Sequence, residues 1–205
     1  MDGLTFRKAT EADTERIARI INDPPGREAV AIAGCVEAAR EFGMGWVRLP
    51  DSPQGWQRTV VGELGGEVVA VLQAGPPPES PFRLTRRVGW LAVRVLGVSV
   101  ITALPRQRAR QRVQVEPPGG SYYIAEIDVD PRCRNRGIGG AALDYAEAQA
   151  RDDGYRQMSL STTTENPARR LYERHGFRVV ETKTDAAYEK YTDIAGRHLM
   201  VKELG

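Results

Sequence analysis

Apolar residues along this chain recur with two periods, and the switches between them mark out the elements. "LTFRKAT", Leu4 to Thr10, alternates as a short strand does, and Thr10 with Asp13 has the spacing of a capping box ahead of a helix over 11–22. The run "DPPG" at 23–26 ends that helix, and a second over 27–43 is expected to stop at Gly43. Residues 58–64 and 67–75 alternate on either side of Gly65-Gly66, a two-residue hairpin signal. Further strand patterns at 121–130, 155–163, 178–183 and 197–204 are interleaved with helical patterns at 139–154 and 165–177. The first of these helices stops at Gly154; the second takes Asn166 as N-cap, Pro167 as its first residue and Gly176 just past its last turn. This alternation predicts an α/β fold.

Proline clusters at 76–81 and 117–120 bracket an excursion, residues 82–116. Within it, residues 88–104 are nearly all apolar, but a bilayer span needs ~20 such residues and a central arginine, here Arg94, costs ~3 kcal/mol. Leu84, Val88, Leu91, Val95, Val98 and Thr102 recur at helical spacing, so the segment is expected as an amphipathic helix packed on the domain, with no membrane span and with surface contact left open. The following "RQRARQRVQ" is expected as a solvated loop; no aromatic residues interleave with its arginines, which argues against nucleic acid.

Composition narrows this further. A chain of 205 residues that is 41% apolar and 27% charged suits one domain, 1–205, containing the 82–116 insertion. Lys and Arg total 29 against 27 for Asp and Glu, far from the polycation expected of a nucleic-acid binder. Cys35 and Cys133 have neither metal-ligand nor disulfide spacing, and no leader pattern opens the chain, so a reduced, cytoplasmic protein without a metal is expected.

The chemistry concentrates in "DPRCRNRGIGGAAL", residues 130–143, at a strand-to-helix junction. A glycine-rich turn leaves N–H groups open, and a helix start adds unpaired donors and partial positive charge, which together suit phosphate. No G-x-x-x-x-G-K-[ST] is present, and G-I-G-G after mid-chain is not a dinucleotide fingerprint, which disfavours nucleotide hydrolysis and hydride transfer. On the strand before it, Glu126 and Asp128 share one face, opposite Ile127 and Val129.

Val129 and Pro131, then "RNRGIG" at 134–139, then Leu171, Tyr172, Gly176 and Phe177 as L-Y-x-x-x-G-F, together resemble the GNAT superfamily of acyl-CoA-dependent N-acyltransferases, as do "FRKATEAD" and "HLMVKEL" at the two ends. The resemblance implies a central mixed, twisted sheet of about seven strands flanked by helices, with the helical insertion before the fourth strand. It implies acetyl-CoA as co-substrate, its pyrophosphate gripped by main-chain amides of Arg134, Asn135, Arg136, Gly137, Ile138, Gly139 and Gly140. Ile127 and Val129 would border the acyl arm, with a main-chain amide near Val129 polarising the thioester carbonyl. Tyr172 matches the general acid for the departing thiolate, while Glu126 and Asp128 would bind or deprotonate the amine. Asn166 would touch the coenzyme, although it stands six residues before Tyr172 where the family has seven. Direct transfer to a primary amine, on a small molecule or peptide, follows; a non-catalytic acyl-CoA sensor is the alternative. The insertion is a candidate lid, homodimer interface or peripheral membrane contact.

Overall fold

The computed structural model describes residues 3–49, 52–77 and 86–205. Strand β1 (Leu4–Lys8) leads through a 3-10 turn into α1 (Thr14–Asn22), then α2 (Arg27–Ala33) and α3 (Val36–Arg48). The hairpin β2 (Val60–Leu64) and β3 (Glu67–Gly75) follows, then the insertion as α4 (Arg86–Leu96) and α5 (Val100–Arg112), with a 3-10 turn between them. The remainder runs β4 (Tyr122–Val129), α6 (Ile138–Asp152), β5 (Gln157–Thr163), α7 (Arg169–Arg174), β6 (Arg178–Thr184), α8 (Ala186–Thr192) and β7 (Gly196–Glu203). The strands form one seven-stranded sheet in the order β1-β2-β3-β4-β5-β7-β6. Every neighbouring pair is antiparallel except β4 and β5.

Two layers cover the sheet. On one face Leu72, Ile124 and Ile127 pack with Leu143 and Ala146 of α6 and Tyr172 of α7. On the other, Val61 and Val71 meet Ile17 and Ile20 of α1 and Val47 of α3. Strand β3 lies between both layers, which explains its unbroken apolar run from Val68 to Leu72. Each fully buried side chain of this kind contributes about 1.5–3 kcal/mol before entropy is charged against it.

Four local expectations are corrected. The helix expected over 27–43 breaks at Gly34, whose φ of 97° is left-handed, and restarts with the Cys35 sulfur accepting from Ala38 N–H. It then runs through Gly43 to Arg48, because that glycine serves packing: a Cβ on Gly43 would strike the Asn22 side chain. "RQRARQRVQ" is mostly the end of α5 and not a loop, anchored by ion pairs from Arg110 to Glu28 and from Arg112 to Asp185. The apolar stripe of the insertion holds at Val88 and Leu91, but past Gly97 it turns outward, leaving Val98 and Thr102 exposed; Leu84 lies outside the described residues. Helix α7 starts at Arg169, not at Pro167, because the Asn166 side chain accepts from Ala168 N–H at 2.9 Å and closes a turn of its own first.

Candidate active site

Strands β4 and β5 run parallel but pair only where Tyr122–Ile124 face Met158–Leu160. Beyond that they part, and their C-terminal ends flank a gap, the usual place for a ligand in an open α/β sheet. The gap has unspent backbone donors. Asp130 N–H donates to Val69 O at 2.9 Å, and Val71 stands opposite Asp128. Because antiparallel ladders alternate which residues bond across, Ile127 and Val129 turn their N–H groups away from β3 and into the gap. At the end of β5, the buried hydroxyls of Thr162 and Thr164 have no hydrogen-bond partner among the described residues, an omission that a bound polar chain would repair.

The glycine loop opens at the same end. Asp130 fixes its start: its carboxylate accepts from Arg132 N–H at 2.8 Å, from the Arg132 guanidinium, and from Arg16 of α1. These partners hold Asp130 well below the usual carboxylate range, Arg132 contributing most. Arg132 is therefore committed to Asp130, while Arg134 donates from Nε to Val129 O at 3.2 Å and Arg136 is exposed. Asn135 and Gly137 are both left-handed, with φ of 59° and 78°. The main-chain N–H groups from Arg134 to Gly140 have no protein acceptor among the described residues, and Ala141 N–H is the first to bond back, to Gly137 O at 3.0 Å. Successive open amides at the start of a fifteen-residue helix make an anion cradle. Of the glycines expected to clear room for phosphate, two do something else. A Cβ on Gly139 would stand 3.2 Å from Leu171, and one on Gly140 3.2 Å from His175, so bare backbone there lets α6 close on α7.

The carboxylates owe their face to a bulge. The β3–β4 register shifts between Gln73 and Ala74, which sit opposite Glu126 and Ile124 and leave Ala125 as the extra residue. The shift keeps Tyr122 and Ile124 in the same core as Ile127, under α6, and turns Glu126 and Asp128 to the α1–α3 side with Tyr123. Strict alternation would have placed Ile124 beside the acids. Gln54, from the loop before β2, donates to Glu126 Oε2 at 2.8 Å. Burial first, then the neighbouring Glu126 charge and hydrogen bond, push Asp128 far above the ordinary carboxylate range. Tyr172 reaches the same neighbourhood from α7: burial and then the charges of Asp128 and Glu126 raise its phenol above the usual value. Its ring is fixed edge-on to Phe177, centroids 6.3 Å apart.

Because Asp128 keeps a proton when folded that it loses when unfolded, folding takes up a proton over the interval between the two values, and stability falls as pH rises through it. Asp128→Asn removes this uptake. The variant should gain melting temperature relative to the parent between pH 5 and pH 8; an equal difference at both pH values would show that Asp128 titrates normally.

Asn166, the two histidines and Cys133 each have local contacts of their own. Asn166 lies in the β5–α7 connection with its carbonyl oxygen engaged by Ala168 N–H. His175 Nδ1 lies 3.3 Å from Asp144, and the His198 ring bonds Thr182 at 2.8 Å. Cys133 packs beside Val69 and Ile138. Among the described residues no group of His, Cys, Asp and Glu side chains could hold a metal. Gln54 and Tyr123 had no sequence signal; one is an ordinary loop residue and the other needed the bulge to be placed.

The family model for the acetyltransferase (GNAT) family matches residues 33–177. The chain belongs to this family. Among solved structures, an acetyltransferase shares 26% identity across 98% of this chain and 100% of its own, with a TM-score of 0.57. The apo form of an agmatine N-acetyltransferase, at 20% identity over 99% of this chain and 100% of its own (TM-score 0.57), shares the fold. So does mosquito arylalkylamine N-acetyltransferase like 5b, at 17% over 98% and 100% (TM-score 0.59). No curated protein matches the chain. As a GNAT protein it has the expected mixed seven-stranded sheet flanked by helices, and the helical insertion precedes the fourth strand.

Proposed function

We propose that this GNAT protein transfers an acetyl group from acetyl-CoA directly to the primary amine of a small cationic acceptor. The observation that carries this reading is the meeting of three features at one end of the sheet: the open amides from Arg134 to Gly140, the gap between β4 and β5, and Tyr172 beside the Glu126–Asp128 pair. The cradle would hold the diphosphate of the co-substrate. The inward N–H groups of Ile127 and Val129 and the unpaired hydroxyls of Thr162 and Thr164 would receive its amide-bearing arm, and of the two amides the one farther from the loop, Ile127 N–H, would polarise the thioester carbonyl.

The acceptor arrives from the α1–α3 side, where Glu126 and Asp128 offer a negative site that favours a cation. An ammonium near pKa ~10.4 must lose a proton before its nitrogen attacks. Asp128 suits that task, since a carboxylate with a raised pKa is a stronger base than an ordinary one. An arriving ammonium favours the doubly ionised pair, which takes its first proton and so frees the lone pair that attacks; the nitrogen's second proton leaves for solvent once the carbon–nitrogen bond has formed, and solvent restores the Tyr172 hydroxyl after turnover. As the carbon–sulfur bond breaks, the Tyr172 hydroxyl donates to the sulfur. Known amine acetyltransferases of this fold make a small amine the first acceptor class to test. Calorimetry with acetyl-CoA followed by a thiol-release assay across diamines, guanidino amines and arylalkylamines should give micromolar-range binding and turnover of at least one cation. Binding without turnover on any amine would make the protein a sensor; absence of binding would remove the cradle.

A further inference from the structure

The insertion presents more apolar surface than the domain covers. Residues Arg86–Arg112 have the length and composition of a membrane-crossing helix, yet only 17% of the most apolar window is buried. Val98 is 87% exposed, Ile101 72% and Trp90 66%, with Val93 and Leu104 also outside. These residues stand around the break at Gly97, where the backbone turns left-handed (φ 54°) between α4 and α5. The ends of the insertion are held by the domain: Val88 and Leu91 are buried, with α4 against α3, and Ala109 and Val113 join Tyr188 and Ile194. The middle therefore forms a shoulder and not a span, and Arg94 at its centre, 5.8 Å from the Trp90 ring, fits an interface better than a hydrocarbon core.

Charge selects the occupant. No Asp or Glu stands between Arg86 and Val115, whereas Arg86, Arg87, Arg94, Arg106 and Arg108 flank the apolar residues. A cavity of about 550 Å³ between α3 and α4 repeats this chemistry, with Trp90, Leu91 and Val95 in its wall and Arg86 and Arg94 beside them, Glu41 being the single acid among its described lining residues. A second copy docked symmetrically through this shoulder would set arginine against arginine. A surface with apolar depth and anionic headgroups matches it. We propose that the shoulder from Trp90 to Leu104 docks the protein onto the surface of a bilayer containing anionic phospholipid. Insertion of a few apolar side chains gives reversible binding, and each nearby arginine strengthens it only where the surface is negative.

Vesicle flotation of the full chain tests this. The protein should float with phosphatidylcholine–phosphatidylglycerol vesicles at low salt and should be released by high salt. It should stay behind with phosphatidylcholine alone. Val98→Asp with Ile101→Asp should weaken the association at least ~10-fold while leaving melting temperature unchanged, since both side chains are exposed. Trp emission should shift to the blue on vesicle addition in the parent but not in Trp90→Phe. Equal flotation of the double variant, indifference to lipid charge, or carbonate-resistant integration would each overturn the proposal. So would a dimer in sedimentation that the same pair disperses, with no flotation of the parent.

Discussion

Replacing Tyr172 with phenylalanine should lower kcat for acyl transfer by about 10²- to 10³-fold and leave the KM for acetyl-CoA within a few-fold. The asymmetry follows from where the side chain spends its atoms. Tyr172 is only 6% exposed and its ring packs in the core with Phe177, so the substitution keeps the packing and removes one oxygen. That oxygen is not spent on a protein partner among the described residues, and burial, then the nearby carboxylates, raise its pKa, so the phenol stays protonated throughout the range in which acetyltransferases are assayed. A protonated hydroxyl helps only when negative charge develops on the departing sulfur, which is a transition-state interaction and belongs in kcat. Steady-state kinetics with a thiol-trapping reagent provide the measurement. An unchanged kcat would take Tyr172 out of the chemistry and leave it as a core residue.

How far the sequence led depended on whether a feature was local. Gly65-Gly66, the Thr10–Asp13 pair and Gly154 act through their own backbone and neighbours, and the elements they punctuate lie where the pattern puts them. The loop from Arg134 to Gly140 is local in the same way, so its position was legible although the packing reason for Gly139 and Gly140 was not, because Leu171 and His175 come from another helix. Gly34 and Gly43 show the limit most clearly. Both are plausible helix stops in isolation, and the choice is made by Asn22, which α3 must approach closely at Gly43. The β4 bulge is decided by its partner β3, so the joint face of Tyr123, Glu126 and Asp128 could not be complete from β4 alone. Helix α8 escaped the pattern because its seven residues, "AAYEKYT", hold too few apolar positions for a period; its N-cap Asp185 and the buried Tyr188 bonded to Glu28 define it instead. The insertion was read from its prolines, but an apolar stripe cannot say whether a partner waits to cover it.

The loop's geometry supports the second large effect. Gly137→Val should weaken acetyl-CoA binding by about 10²-fold, whereas Gly137→Asn should stay within ~10-fold of the parent. Gly137 caps α6 with φ at 78°, a region that costs an ordinary side chain ~1–2 kcal/mol and a β-branched one more, while asparagine tolerates it. Asn135, two residues earlier, already adopts such a conformation with φ at 59°. Valine would relieve the strain by rotating the peptide units on either side, and those units carry N–H groups that would face the diphosphate in the proposed cradle. Charge-assisted hydrogen bonds contribute about 1.5–3 kcal/mol each, so misdirecting one or two accounts for the expected loss. Arg136→Ala provides the contrast: an exposed, screened charge should cost less than tenfold, because orientation of the main chain holds the phosphate and the arginine only adds attraction. Calorimetric titration of the three variants with acetyl-CoA separates the two contributions. If Arg136→Ala cost more than Gly137→Val, side-chain charge would be the principal holder of the co-substrate and the amide cradle a bystander.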